Sequence, residues 1–173
     1  MTTVFESLRT ANAVERARRM GSLKAEISKD SDRFLVKLSG AMDEESDLKA
    51  IFAELSGPTT FDLGGIERVN SMGIHLWIPL ISELSASHEV LIERIAYPMV
   101  LQANTVANLF GQARVTSCFA PYFSPAVHEN FMVEVKAEEV QDGTAPTKMC
   151  PETGEEMEFD ELDSYFYFLQ RQA

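Results

Sequence analysis

At 173 residues, 45% of them apolar and 9% aromatic, the chain is long enough to bury a hydrophobic core without disulfides or structural metal. Fifteen basic residues against 27 acidic ones leave a net charge of −12, which argues against nucleic acid and anionic lipid as partners, because both require a basic face. Two cysteines, Cys118 and Cys150, are too few for a disulfide framework, no run is apolar enough to span a bilayer, and Arg9, Glu15, Arg16, Arg18 and Arg19 interrupt any secretory signal, so a cytoplasmic location is expected.

In chain order, Val4, Leu8, Ala11 and Val14 recur at helical spacing, which predicts an amphipathic helix over 4–20 stopped by Gly21. Leu23 to Ile27 and Phe34 to Leu38 alternate as strands around the polar turn Lys29 to Asp32, a β-hairpin. Ser39 to Asp43 breaks the pattern. Leu48, Ile51, Phe52 and Leu55 then predict a helix over 44–55, with Asp43 as its N-cap and Gly57-Pro58 as its end. Thr59 to Leu63 is the next strand, and Met72 to Ser85 an apolar helix in which Pro79 predicts a kink. Val90 to Ile95 is a strand, and Pro98 opens a helix running to about Phe110, with Gly111 as its stop. Alternating strands and helices at this spacing predict an α/β domain with a mixed sheet and helices packed on it.

The C-terminal part reads differently. Val115 to Pro125 is aromatic and extended, and Phe131 to Lys136 alternates. Residues 141–147 form a loop, Met157 to Phe159 a short strand, and 162–169 a helix or turn. From Glu134 to Asp163 eleven acids face two bases, a local net charge of −9. Such a run is either a solvated face or a steering surface for a basic partner.

The segment Phe61 to Ile74 carries the most information. It reads as a buried strand, a tight loop, and then Ser71 at the first turn of an apolar helix. A hydroxyl there lies beside unpaired backbone N–H groups, so Ser71 reads as an N-cap, a phosphate acceptor, or both. Phosphate would add roughly two negative charges and spoil a flat docking surface. Gly73 reads either as the point of a close helix approach or as a position without a side chain. His75, His88, His128, Cys118 and Cys150 show no metal-ligand spacing. Ser71 and His75 lie one helical turn apart, but no nucleophile-elbow pattern surrounds them, and Gly64-Gly65 is too short to cradle a phosphate. A protein that is not an enzyme is expected.

Three pieces of residues 22–112 resemble the STAS family, the fold of bacterial anti-sigma factor antagonists. Leu38-Ser39-Gly40-Ala41-Met42-Asp43 is similar to its loop after the hairpin. Phe61-Asp62-Leu63 is similar to its central strand, and Asn70-Ser71-Met72-Gly73-Ile74 to its Asp-Ser-Ser-Gly-Leu phosphorylation motif. The resemblance implies a STAS-like mixed sheet and a signalling role in transcription regulation. It implies phosphorylation of Ser71 and a partner-binding surface of Asp43, Asn70, Ser71, Met72 and Gly73. The partner implied is an anti-sigma factor or related serine protein kinase, with no cofactor, and with a homo-oligomer as a further option. Asn70 stands where the family has Asp and Met72 where it has a second Ser, which leaves a non-switching scaffold as the alternative.

Phe119 to Val127, followed by Cys150-Pro151-Glu152-Thr153-Gly154, resembles a zinc ribbon that has lost its ligands. Ser124, Val127 and Thr153 stand at expected cysteine positions and only Cys150 remains, which cannot hold structural zinc alone. The expected organisation is an N-terminal helix over 1–21, a STAS-like domain over 22–112, and a small β-rich acidic appendage over 113–173. Packing of Tyr122, Phe123, Phe131 and Phe159 is expected to hold the appendage.

Overall fold

Strict alternation builds the first sheet. The computed structural model describes residues 16–20 and 22–171. Leu23, Ala25 and Ile27 of β2 (Leu23–Asp30) are buried, as are Val36 and Leu38 of β3 (Arg33–Met42), whereas Lys24 and Lys37 between them are exposed. The same holds for Phe61 and Leu63 of β4 (Thr59–Val69) and for Val90 and Ile92 of β5 (Val90–Glu93). Period-two patterning therefore gives one helix-covered face and one open, charged face. With β1 (Arg16–Met20) and β6 (Arg114–Val115), the sheet runs β1-β2-β3-β4-β5-β6, antiparallel through β3 and parallel from β3 onward.

The helices α1 (Leu48–Phe52), α2 (Ser71–Ser87) and α3 (Tyr97–Thr105) connect successive parallel strands. The fold is α/β, a mixed sheet with helices packed on it. Its core centres on Phe52, Phe61 and Trp77, whose ring centroids lie 5.4 to 5.5 Å apart. Trp77 is fully buried, and its indole N–H donates to the Leu109 carbonyl at 2.8 Å.

Several elements differ from the sequence expectation. Arg16–Met20 is an edge strand and not the end of a helix, with Arg16 opposite Ile27 and Met20 opposite Leu23. Pairing with the free edge of β2 outweighs helical propensity there. The remainder of that expected helix, and residue 21, lie outside the described residues. Helix α1 is one turn long, and its N-cap is Asp47, which accepts from the Ala50 N–H at 3.2 Å, so Asp43 is not the cap. Strand β4 continues through Gly64-Gly65 to Val69, with two register shifts against β3, where the sequence suggested a loop. Helix α2 passes through the exposed Pro79 as one continuous element. The carbonyl that proline leaves unbonded belongs to exposed His75, where water can satisfy it.

The C-terminal residues form a second, antiparallel sheet, ordered β8-β7-β10-β9. Its strands are β7 (Ser117–Ser124), β8 (Glu129–Lys136), β9 (Lys148–Met149) and β10 (Glu156–Phe159). It grows directly from the first sheet, because β7 hydrogen-bonds to Ile95, two residues beyond β5, through Ile95 N–H to the Ser117 carbonyl at 3.2 Å and Phe119 N–H to the Ile95 carbonyl at 2.8 Å. The buried face carries Cys118, Ala120, Tyr122 and Ser124. Tyr122 packs against Phe159 at 5.5 Å and Phe159 against Phe166 at 5.5 Å. Phe131 is partly buried against this core, whereas Phe123 points to the opposite face, because it is odd in a strand whose even residues are buried.

Candidate functional site

Parallel pairing places Met42 opposite Val69, so that β3 and β4 end side by side. The chain leaves β3 into the Asp43 loop and leaves β4 into α2. This geometry gathers the five predicted site residues at one end of the sheet. Asn70 is the cap of α2: its side-chain oxygen accepts from the Gly73 N–H at 2.8 Å, and its own N–H donates to the Met42 carbonyl at 3.1 Å. Ser71, first residue of the helix, is therefore free of the capping role that the sequence allowed it. Ser71 is exposed, and Met72 beside it is 49% exposed.

The structure decides the role of Gly73. A Cβ built there would lie 2.1 Å from the Met42 carbonyl oxygen and 2.9 Å from the Asp43 nitrogen. The first turn of α2 rests directly on the backbone that follows β3, and only glycine leaves room for it. Gly40 does similar work one residue pair earlier. It adopts φ +90°, and a Cβ there would lie 2.3 Å from the Ser22 carbonyl oxygen.

Asp43 is a fixed part of its loop. Ser22 Oγ donates to its Oδ2 at 2.6 Å, and Glu45 N–H and Ser46 Oγ donate to its Oδ1 at 3.1 and 3.3 Å. The Ser22 hydroxyl first, then the donors at 45 and 46 and the charge of Arg68, hold its carboxyl below the ordinary range against a partial desolvation penalty. Glu44 is likewise held low, by its own backbone N–H and then by the Asn70 side chain, whose Nδ2 donates to Glu44 Oε2 at 2.6 Å. Glu44 and Ser22 are the site residues the sequence did not point to. Their partners lie 26 and 21 residues away, and no local pattern marks such contacts.

Asn70 and Glu44 form a matched pair. An amide at position 70 can cap the helix with its oxygen and still donate to a carboxylate. An aspartate could cap the helix but would repel Glu44. The amide is thus accounted for by its neighbour. Glu44 and Ser71 are exposed and Asp43 is half-buried at this end of the sheet.

The second group the sequence singled out also converges in part. Cys150 is buried at the turn between β9 and β10. The Ser124 hydroxyl, the Thr153 hydroxyl and the backbone N–H groups of Glu152 and Thr153 face its sulfur and hold the thiol below its ordinary range, despite burial. One thiol and two hydroxyls do not fit structural zinc. Cys118 is the contrast: burial, and then the charge of Glu134, push its thiol up to about 12.

Among the described residues no helix is long and apolar enough to cross a membrane. No protein-family model and no curated protein matches this chain.

Proposed function

We propose that the protein is a cytoplasmic regulatory binding module of the STAS type, related to anti-sigma factor antagonists, that docks through the Ser71 end of its first sheet and is switched by phosphorylation of Ser71. The observation that carries this reading is the exposed Ser71 hydroxyl on the first residue of α2, beside the Asp43 loop and relieved of capping by Asn70. The partner is an anti-sigma factor or a related serine kinase. The kinase transfers the γ-phosphoryl group of ATP to Ser71 Oγ; the hydroxyl proton leaves and ADP is released. The new charge lies next to Asp43 and Glu44, so the docking face becomes strongly anionic and a surface that bound through shape and hydrogen bonds is repelled. The protein contributes a surface and not catalysis.

Intact mass after incubation with source lysate and ATP tests the switch. A single added phosphate is expected on the parent chain and none on Ser71→Ala. Ser71→Asp is expected to weaken partner capture at least about tenfold, with Ser71→Ala capturing normally. Parent and both variants behaving alike would end the switching reading. The alternative, a non-switching scaffold, is favoured by one feature: Asn70 places an amide, already bonded to Glu44, where the switching family has a carboxylate.

A further inference from the structure

The second sheet has an outer face that the core does not use. In β7 the even residues are buried, so Phe119, Pro121 and Phe123 line the other side and stay half-buried. Register places Met132 of β8 opposite Pro121, and Glu158 of β10 opposite Phe123. Across the next pair Met149 stands opposite Glu156. Met132 and Met149 are 50% and 56% exposed, so an apolar strip crosses β8 and β7, Glu156 and Glu158 of β10 border it, and Met149 of β9 lies beyond them. Methionine adapts its shape to a partner, and aromatic faces attract cations. Arg94 already lies over the Phe119 ring at 5.3 Å.

The charge on this face has one sign at its open end. Glu134 is balanced by Lys136 at 2.9 Å, but Glu156 and Glu158 form no ion pair among the described residues. Glu152, Glu155 and Asp160, all exposed, follow the same turn and strand. A second copy presenting this face would bring these carboxylates together, and nucleic acid or anionic lipid would be repelled. We propose that the outer face of the second sheet is a docking surface for a protein segment that carries lysine or arginine beside aliphatic side chains. The apolar strip supplies the contact, and Glu156 and Glu158 supply the complementary charge and faster encounter. This surface lies on a different sheet from Ser71, so it stands or falls separately from the proposed switch.

The test titrates the full chain with three short synthetic peptides: alternating Lys and Leu, alternating Lys and Ser, and alternating Glu and Leu. The methionine methyl groups are followed by NMR. The Lys/Leu peptide is expected to bind about fivefold or more tighter than Lys/Ser, with no binding of Glu/Leu. It is expected to shift Met132 and Met149 and to leave Met72 unmoved. Glu156→Gln with Glu158→Gln, and separately Met132→Ser with Met149→Ser, are each expected to weaken it about fivefold, and Glu67→Gln with Glu83→Gln to leave it unchanged. Equal affinity for Lys/Ser would overturn the proposal, as would equal weakening by the Glu67 and Glu83 variant or shifts confined to Met72. A concentration-dependent dimer that the methionine variant abolishes would assign the face to a second copy and overturn it as well.

Discussion

Gly73 shows how much one missing atom decides. Its Cβ position lies inside van der Waals contact with the Met42 carbonyl, so Gly73→Ala must push α2 off the end of β3 and stretch the Asn70 N–H bond to the same oxygen. We expect a loss of about 3 kcal/mol in denaturant unfolding, against a change near zero for Met72→Ala one residue earlier. Equal stability of the two variants would show that the helix yields freely. The Asn70–Glu44 pair makes a second prediction at this scale. Asn70→Asp keeps a good cap but sets two carboxylates against each other, so it is expected to destabilise the protein at neutral pH. Adding Glu44→Gln, which restores a donor opposite the new carboxylate, is expected to recover the loss. No recovery in the double variant would mean that the pair does not explain the amide. The sequence placed Ser71 at the start of an apolar helix, because a strand followed by such a helix is a local signal, but it offered the capping role to Ser71, whereas the cap is Asn70. It could not mark Glu44, whose contact exists only once β3 and β4 run side by side.

Among the elements, β7 carries a consequence in pH. Cys118 on its buried face is pushed up to about 12 by burial first and by Glu134 second. An unfolded thiol releases its proton near pH ~8.5, whereas the folded one holds it, so the unfolded state binds fewer protons in this window and stability falls as pH rises. The slope is up to about 1.4 kcal/mol per pH unit. Cys150 works in the other direction: its lowered thiol adds stability that is complete above the unfolded value, so the decline beyond that point belongs to Cys118. Tyr122, raised to about 12 chiefly by burial, joins only above about pH 10. Urea unfolding from neutral to alkaline pH is expected to show the early decline in the parent chain and to lose it in Cys118→Ala. Superimposable pH profiles would refute the assignment. Element types were largely readable here, since β7 and β8 alternate plainly. Their extents were less so: β4 outran its expected end because pairing with β3 recruits Gly64 to Val69.

At the scale of the whole molecule, the last residues act as a clasp. Asn104 on α3 donates through Nδ2 to the Tyr165 carbonyl at 2.8 Å and accepts from the Phe168 N–H at 3.0 Å, which ties α4 (Tyr167–Gln170) and the 3-10 turn before it onto the first sheet's helices. Tyr165 also donates to the Phe119 carbonyl at 2.7 Å, so one ring links the clasp to β7. Asn104→Ala leaves two backbone groups without these partners and is expected to cost about 2 kcal/mol, with hydrogen exchange speeding first in residues 163–170. Uniform exchange across the chain would instead make the two sheets a single cooperative unit without a separable clasp.

The sequence by itself determined the alternation of strands and helices from β2 to α3 and an apolar α2 with a serine at its start, because each of these is written in spacing over a few residues; that Asn70 is the cap was decided by the structure. Only the tertiary structure decided that Arg16–Met20 pairs as a strand, that Gly73 is a point of close approach, that Asp43 is bound by Ser22, and that the second sheet shares a core with the first. Those outcomes rest on contacts between residues distant in the chain, whose geometry is set by strand register and packing and not by local preference.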